Sequence, residues 1–207
     1  MKIQIIALPR SGSAYLRGMI DSQISSNTDY FTISEPFNVS KNHKLKEDEI
    51  LYYIKEKKNV LVKNMIFELD DVDLSNLFDY VICLTRKDMF EATLSRAIAL
   101  TTNKWNQPHD DNLKLTIDFL KFKILLDETV RWNKKLLNIK NNKLIFYEDL
   151  SFNSSSDLHL FDDLLTYKKP FETFLLYDKQ KLVTNYFELK EQSRIYLDNK
   201  SEYIKYV

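Results

Sequence analysis

The chain has 207 residues, 44% of them hydrophobic and 29% charged, enough apolar material to fill one globular domain and too much for a disordered or fibrous chain. Its 30 basic and 30 acidic side chains cancel, and the basic ones are dispersed, so the cationic surface that non-specific nucleic-acid binding needs is missing. One cysteine, Cys83, and three scattered histidines offer neither an internal disulfide nor the spacing of structural zinc, so a metal-free, cytoplasmic protein is expected.

Residues 2–8 form an apolar run with isoleucine at positions 3, 5 and 6, closed by Pro9, which suits a strand buried on both faces of a parallel sheet. The run starts almost at the first residue, so no secretion signal is expected ahead of it. No apolar stretch approaches the roughly 18–20 residues of a membrane-spanning helix. Residues 13–24 carry Tyr15, Leu16, Met19 and Ile20 at helical spacing. A brief strand is expected over 30–33, and Pro36 then turns the chain, leaving Glu35 at the strand's end. A helix over 47–57 precedes two short β-branched strands, 60–65 and 80–85. Helical periodicity returns over 88–100 and over 113–137, followed by a strand at 143–147. A helix over 157–165 with Asp157 as its N-cap follows an Asn/Ser stretch at 153–156, the nearest thing to a linker. The tail, 184–207, reads as helical, with no role assigned. No internal repeat occurs. Strands alternating with helices predict an α/β fold, one domain over 1–207 with a central parallel sheet flanked by helices.

Only two glycines occur, and Gly12 lies where the first strand hands over to the first helix. A chain needs permissive dihedrals there, and unsatisfied amide groups can surround an anion. Around it, Pro9-Arg10-Ser11-Gly12-Ser13-Ala14 offers the amides of residues 12–14 and the Ser11 and Ser13 hydroxyls to one phosphate-like group. A nucleoside-triphosphatase loop would place a lysine and then a hydroxyl residue where Ser13 and Ala14 stand. The cation comes earlier instead, from Arg10, one of only six arginines among the 30 basic residues, which argues against ordinary ATP or GTP hydrolysis.

This loop resembles that of the sulfotransferase family, where Pro-Lys/Arg-Ser-Gly-Ser/Thr-Thr holds the 5'-phosphosulfate of 3'-phosphoadenosine-5'-phosphosulfate (PAPS). Ala14 departs from the family's hydroxyl residue and removes one donor. A second match, Leu84-Thr85-Arg86-Lys87-Asp88 followed by Ser95-Arg96-Ala97, is similar to the family's 3'-phosphate grip, made by an arginine ending a strand and a serine on the next helix. Arg86 and Ser95 fit those roles, nine residues apart against the family's usual eight. Lys87 is the alternative cation, and a guanidinium is preferred because it binds phosphate bidentately. Thr101-Thr102, Trp105, Trp132 and Tyr147-Glu148-Asp149-Leu150 extend the likeness to bacterial sulfotransferases acting on trehalose and related carbohydrates. In the family the last element is mainly architectural. The likeness covers about residues 2–150.

The resemblance implies a P-loop-like nucleotide-binding fold and metal-free transfer of a sulfuryl group from PAPS to an acceptor hydroxyl, as in a carbohydrate. Such chemistry needs a base at the attacking oxygen and positive charge on the departing phosphate oxygen. By resemblance the base is Glu35, in Ser34-Glu35-Pro36-Phe37. Lys63 matches a lysine that approaches the transferred group, and Arg10 supplies charge to the leaving group. Arg10, Ser11, Gly12, Ser13 and Ala14 would hold the 5'-phosphosulfate, and Arg86 and Ser95 the 3'-phosphate. His43, His109 and His159 follow no strand, as a histidine base would, and read as surface residues. Phe37, Trp105 and residues 103–111 are candidates to line an acceptor pocket. The rival readings are a nucleotide-binding module without chemistry and, with less support, a kinase of related fold. The sequence fixes neither the acceptor nor an oligomeric state.

Overall fold

The computed structural model describes residues 1–24, 30–38, 47–69, 75–105, 112–150, 159–160, 165–166 and 178–200. Two compact units share the chain: Met1–Thr85 with Trp132–Phe171, and Arg86–Arg131 with Glu172–Val207.

The first unit is built on β1 (Lys2–Ala7), β2 (Phe31–Ser34), β3 (Val60–Met65), β4 (Tyr80–Thr85) and β5 (Lys143–Phe146). They form a five-stranded sheet of order β2-β3-β1-β4-β5 in which every pairing is parallel. β1 occupies the middle, so both of its faces are covered: Ile3, Ile5 and Ala7 are fully buried on one, and Gln4 and Ile6 are buried on the other. In register, Ile5 lies between Lys63 and Ile82, and Ala7 between Met65 and Leu84. One face carries Ile3, Ile5, Ala7, Leu61, Ile82 and Leu84 against Leu16, Met19 and Ile20 of α1 (Ser13–Ile24). Each such large side chain contributes about 1.5–3 kcal/mol when removed from water. The unit also holds α2 (Glu47–Glu56), whose Tyr53 stacks on Phe31 at 5.0 Å. Trp132, in the last turns of α4 (Phe119–Leu137), meets Phe67 at 5.4 Å. Asn133, one residue on, accepts the Thr85 hydroxyl at 2.5 Å.

The second unit holds α3 (Met89–Thr102), the first part of α4, α5 (Lys179–Leu182) and α6 (Tyr186–Asp198). Asp88 caps α3 by accepting the Glu91 amide at 2.8 Å, and Asn103 ends it in the left-handed conformation at φ +54°. Leu115 bridges Val183 in parallel, through Leu115 N to Leu182 O (2.9 Å) and Thr184 N to Leu115 O (2.8 Å). The Asn185 side chain brackets Ile117, accepting from its amide at 3.1 Å and donating to its carbonyl at 2.8 Å. Phe90 packs against Phe122 and edge-on against Tyr186, each at 5.5 Å. Among the described residues no helix is long and apolar enough to cross a membrane.

Most expected elements stand within a residue or two of their predicted bounds, and two do not; of the helical tail expected over 184–207, α6 covers Tyr186–Asp198 and residues 201–207 lie outside the described residues. The helix expected over 113–137 starts at Phe119, because the Asp118 carboxylate accepts the Lys121 amide at 3.0 Å and caps it there. The residues before it are taken by the bridge to Val183. The helix expected over 157–165 is overturned where the chain is described: His159–Leu160 and Leu165–Thr166 are β6 and β7, an antiparallel pair. The apolar alternation of Leu158-His159-Leu160 competes with the helical spacing of the leucines, and strand pairing prevails where the chain is described. His159 therefore stands on a strand. The Asn/Ser stretch at 153–156, His43 and His109 lie outside the described residues.

Candidate functional site

In the first unit, the chain leaves β1 through residues 8–12. The Leu8 amide donates to the Leu84 carbonyl at 2.9 Å, extending the β1–β4 ladder by one bond. The loop then turns sharply: the Ser11 amide and hydroxyl both donate to the Leu8 carbonyl, at 3.2 and 2.6 Å. The Ser11 hydroxyl thereby braces the turn on its own loop. Arg10 and Gly12 adopt left-handed backbone, at φ +65° and +80°. For Gly12 that conformation costs nothing sterically, but for Arg10 it stores about 1–3 kcal/mol of strain. α1 begins at once, its first backbone bond running from Leu16 N to Gly12 O at 3.0 Å. Helix geometry leaves the amides of its first turn, at Ser13 and Ala14, without intrahelical acceptors. Ser13 is buried and Ala14 exposed.

A contact with no local signal in the sequence closes this loop from the end of β5. The Tyr147 ring lies 2.6 and 2.8 Å from where a β-carbon on Gly12 would stand. Glycine is thus required twice, by its φ and by the ring above it. Tyr147 opens the 3-10 turn Tyr147–Leu150, whose Leu150 joins the core beneath α1.

Glu35 follows β2 at the same, carboxyl, end of the sheet. Its backbone is left-handed, φ +55°, and its amide donates to the Lys63 carbonyl at 2.6 Å. Lys63 pairs in register with Ser34 on one side and Ile5 on the other. Its ammonium meets Glu35 Oε1 at 2.6 Å, with Lys63 4% and Glu35 8% exposed. Asn38 Nδ2 donates to the other oxygen, Oε2, at 3.0 Å. The two residues assigned to the reacting centre from sequence are therefore in contact, as a buried ion pair whose charges offset each other's desolvation.

Beside them lies a buried polar chain missed in the sequence. Gln4 Nε2 donates to Asn64 Oδ1 (3.0 Å), Asn64 Nδ2 to Glu68 Oε2 (3.2 Å), and the Met65 amide to Glu68 Oε1 (3.0 Å). Gln4 Oε1 is buried with no hydrogen-bond partner among the described residues. Burial pushes the Glu68 carboxyl above its ordinary range; the Met65 amide and Asn64 carboxamide oppose the rise, and the Glu35 charge adds to it. The visible signal was a glutamine and an asparagine inside otherwise apolar strands. Cys83, on β4, is buried and its thiol is pushed up to about 12 by desolvation, so it stays protonated and unreactive.

In the second unit, Arg86 and Lys87 precede the capping Asp88, with Arg86 half-buried and Lys87 exposed. Ser95 is buried on α3, one helical turn after Glu91. Glu91 was not singled out from sequence, yet two residues make three contacts with it. Lys179 Nζ meets its Oε2 at 2.7 Å and its backbone carbonyl at 3.1 Å, and the Tyr186 hydroxyl donates to Oε1 at 2.6 Å. Burial alone would raise the Glu91 carboxyl. The Lys179 ammonium, the Tyr186 hydroxyl and the Arg86 guanidinium together outweigh it and hold the group below its ordinary range. The same contact, with burial as its larger cause, pushes the Tyr186 hydroxyl up. Arg96, next to Ser95, is turned to Glu128 at 2.8 Å. Trp105 is 42% exposed and Phe37 half-buried, while residues 106–111 of the expected acceptor loop lie outside the described residues.

Compared with protein-family models and with curated proteins, the chain matches none.

Proposed function

We propose that the protein is a PAPS-dependent sulfotransferase with a P-loop-like nucleotide site. The observation that carries the reading is the buried Glu35–Lys63 pair at 2.6 Å, placed at the carboxyl end of a parallel sheet whose central strand leads into the Arg10–Gly12 loop. In such sheets ligands bind beyond the carboxyl ends of the strands. The loop amides and Arg10 hold the 5'-phosphosulfate, and Arg86 and Ser95 hold the 3'-phosphate.

Transfer is in-line. The acceptor oxygen forms a bond to sulfur as the sulfur–oxygen bond to the 5'-phosphate breaks, and the electron pair of that bond stays on the phosphate oxygen. The acceptor proton passes to the Glu35 carboxylate. Lys63 has two tasks, stabilising the carboxylate before transfer and placing positive charge at the reacting group. Arg10 balances the charge that develops on the leaving phosphate. The products are a sulfate ester and 3'-phosphoadenosine-5'-phosphate (PAP). Saccharide hydroxyls are the first acceptors to test.

The test uses labelled PAPS and a panel of mono- and disaccharides. Glu35→Gln, which keeps the side-chain volume, should lower transfer by about 10²–10⁴-fold while PAP affinity stays within about twofold. Transfer at the unmodified rate would put the base elsewhere.

A further inference from the structure

Three polar side chains are buried together in the first unit: Gln4 on β1, Asn64 on β3 and Glu68 on the 3-10 segment Ile66–Leu69. Gln4 and Asn64 share the sheet face opposite Ile5 and Lys63, because side chains alternate along a strand. The hydrogen bonds among the three all run one way. Gln4 Nε2 donates to Asn64 Oδ1 (3.0 Å) and Asn64 Nδ2 donates to Glu68 Oε2 (3.2 Å), so each donor points toward the carboxylate. The Met65 amide donates to the other oxygen, Oε1, at 3.0 Å, and the Phe37 amide also stabilises the charge. Beyond Gln4 the chain stops, since its Oε1 is buried with no hydrogen-bond partner among the described residues. Nothing at the β1 end therefore fixes the direction, which is set at the carboxylate.

Protonation removes that setting. A proton on Oε2 would turn an acceptor into a donor facing another donor, Asn64 Nδ2. Backbone amides cannot reverse, but a carboxamide can: half a turn of Asn64 presents Oδ1 to the Glu68 hydroxyl. Asn64 Nδ2 then faces Gln4, which must turn as well and offer its unpartnered Oε1 as the acceptor. Both links survive with donors and acceptors exchanged. The site is disposed to take the proton, since burial lifts the Glu68 carboxyl above its ordinary range and the Glu35 charge adds to the rise. The other charged groups nearby are Lys63, paired to Glu35, and Lys135 of α4, whose ammonium donates to the Leu69 carbonyl at 3.2 Å.

We propose that the Gln4–Asn64–Glu68 chain is a two-state proton switch: one proton taken from solvent at Glu68 reverses both carboxamides and removes a negative charge from the neighbourhood of Glu35. Coupling between two sites is reciprocal, so an ionised Glu68 makes Glu35 the stronger base. The consequence for transfer rests on the reading of Glu35 as that base, whereas the reversal does not.

NMR on the full chain, titrated from about pH 4 to 9, reads the switch directly. Couplings across the hydrogen bonds should join Gln4 Nε2 to the Asn64 carboxamide carbon at high pH and Asn64 Nδ2 to the Gln4 carboxamide carbon at low pH. The exchange should occur at the midpoint of the Glu68 carboxyl carbon, where the Glu35 carboxyl carbon should also shift. Glu68→Gln, which keeps the volume and cannot ionise, should abolish these pH-dependent changes. The same coupling partners on both sides of the Glu68 midpoint, or a Glu35 carbon that does not move there, would overturn the proposal. The unmodified protein decides this alone should the variant fail to fold. With saturating labelled PAPS, kcat should rise through the Glu68 midpoint in the unmodified protein and stay level in Glu68→Gln; a rise that persists in the variant would overturn the link to Glu35. If no acceptor is sulfated at any pH, the sulfotransferase reading fails, and the NMR titration decides the switch by itself.

Discussion

Gly12 carries two constraints that a single methyl group would violate, a φ of +80° and an aromatic ring 2.6 Å from the β-carbon position. Left-handed backbone costs a non-glycine residue about 1–2 kcal/mol, and overpacking adds about 1–3 kcal/mol. Gly12→Ala is therefore expected to lower the thermal midpoint by roughly 5–15 °C. An unchanged midpoint would mean that Tyr147 yields without cost. The glycine's importance was legible, because it is one of two and stands at a strand–helix handover. Its partner was not, since Tyr147 is far away in sequence and reaches it only through the β4–β5 pairing. The left-handed conformations of Arg10 and Glu35 had no sequence signal either. Neither residue type favours φ above zero, so the surrounding fold imposes those conformations. Both of these positions had been assigned to chemistry on other grounds.

At the scale of elements, α3 and the 3-10 segment Ile66–Leu69 carry carboxylates displaced in opposite directions, and their contributions to stability have opposite signs with pH. Glu91 lies below its ordinary range in the folded protein, so the unfolded chain binds more protons between the two values. Its contribution is complete above the ordinary glutamate range and is lost as pH falls through the depressed folded value. Glu68 lies above its ordinary range, so the folded chain holds its proton longer, and stability falls as pH rises from the ordinary value to the raised one. Chemical denaturation between about pH 3 and 7 reads both. Glu91→Gln should flatten the acid limb, and Glu68→Gln should flatten the decline on the neutral side. A Glu91→Gln curve parallel to that of the unmodified protein would contradict the lowering of the Glu91 carboxyl by its partners. Element type was legible wherever one hydrophobic period dominated, as in β1, β3, β4 and α1. It failed where two patterns competed: residues 157–165 carry both leucine spacing for a helix and the alternation of a hairpin. It also failed at residues 113–118, where a bridge formed across a long sequence separation overrides local helical spacing.

For the whole molecule, the strand order β2-β3-β1-β4-β5 matters more than any one contact. The connection leaving β1 runs toward β2 and the one leaving β4 runs toward β5, so the topological switch falls between β1 and β4. There a parallel sheet opens a crevice beyond its carboxyl ends. The Leu8–Leu84 bond lies at that point, and the Arg10–Gly12 loop follows it directly. With no net charge on the chain, any anion it bound would have to be held by local groups rather than by a general field. Alternation of strands and helices made the parallel sheet legible. The ion pair, the buried Gln4–Asn64–Glu68 chain and the Glu91 cluster depend on register and tertiary packing, which periodicity does not encode. The most direct test of the nucleotide reading is calorimetric titration of the purified protein with PAP, with AMP and Mg-ATP beside it. The account predicts binding that depends on the 3'-phosphate, at least about tenfold tighter than AMP, the difference expected from one bidentate guanidinium–phosphate contact. A folded sample that binds PAP no better than AMP would contradict it.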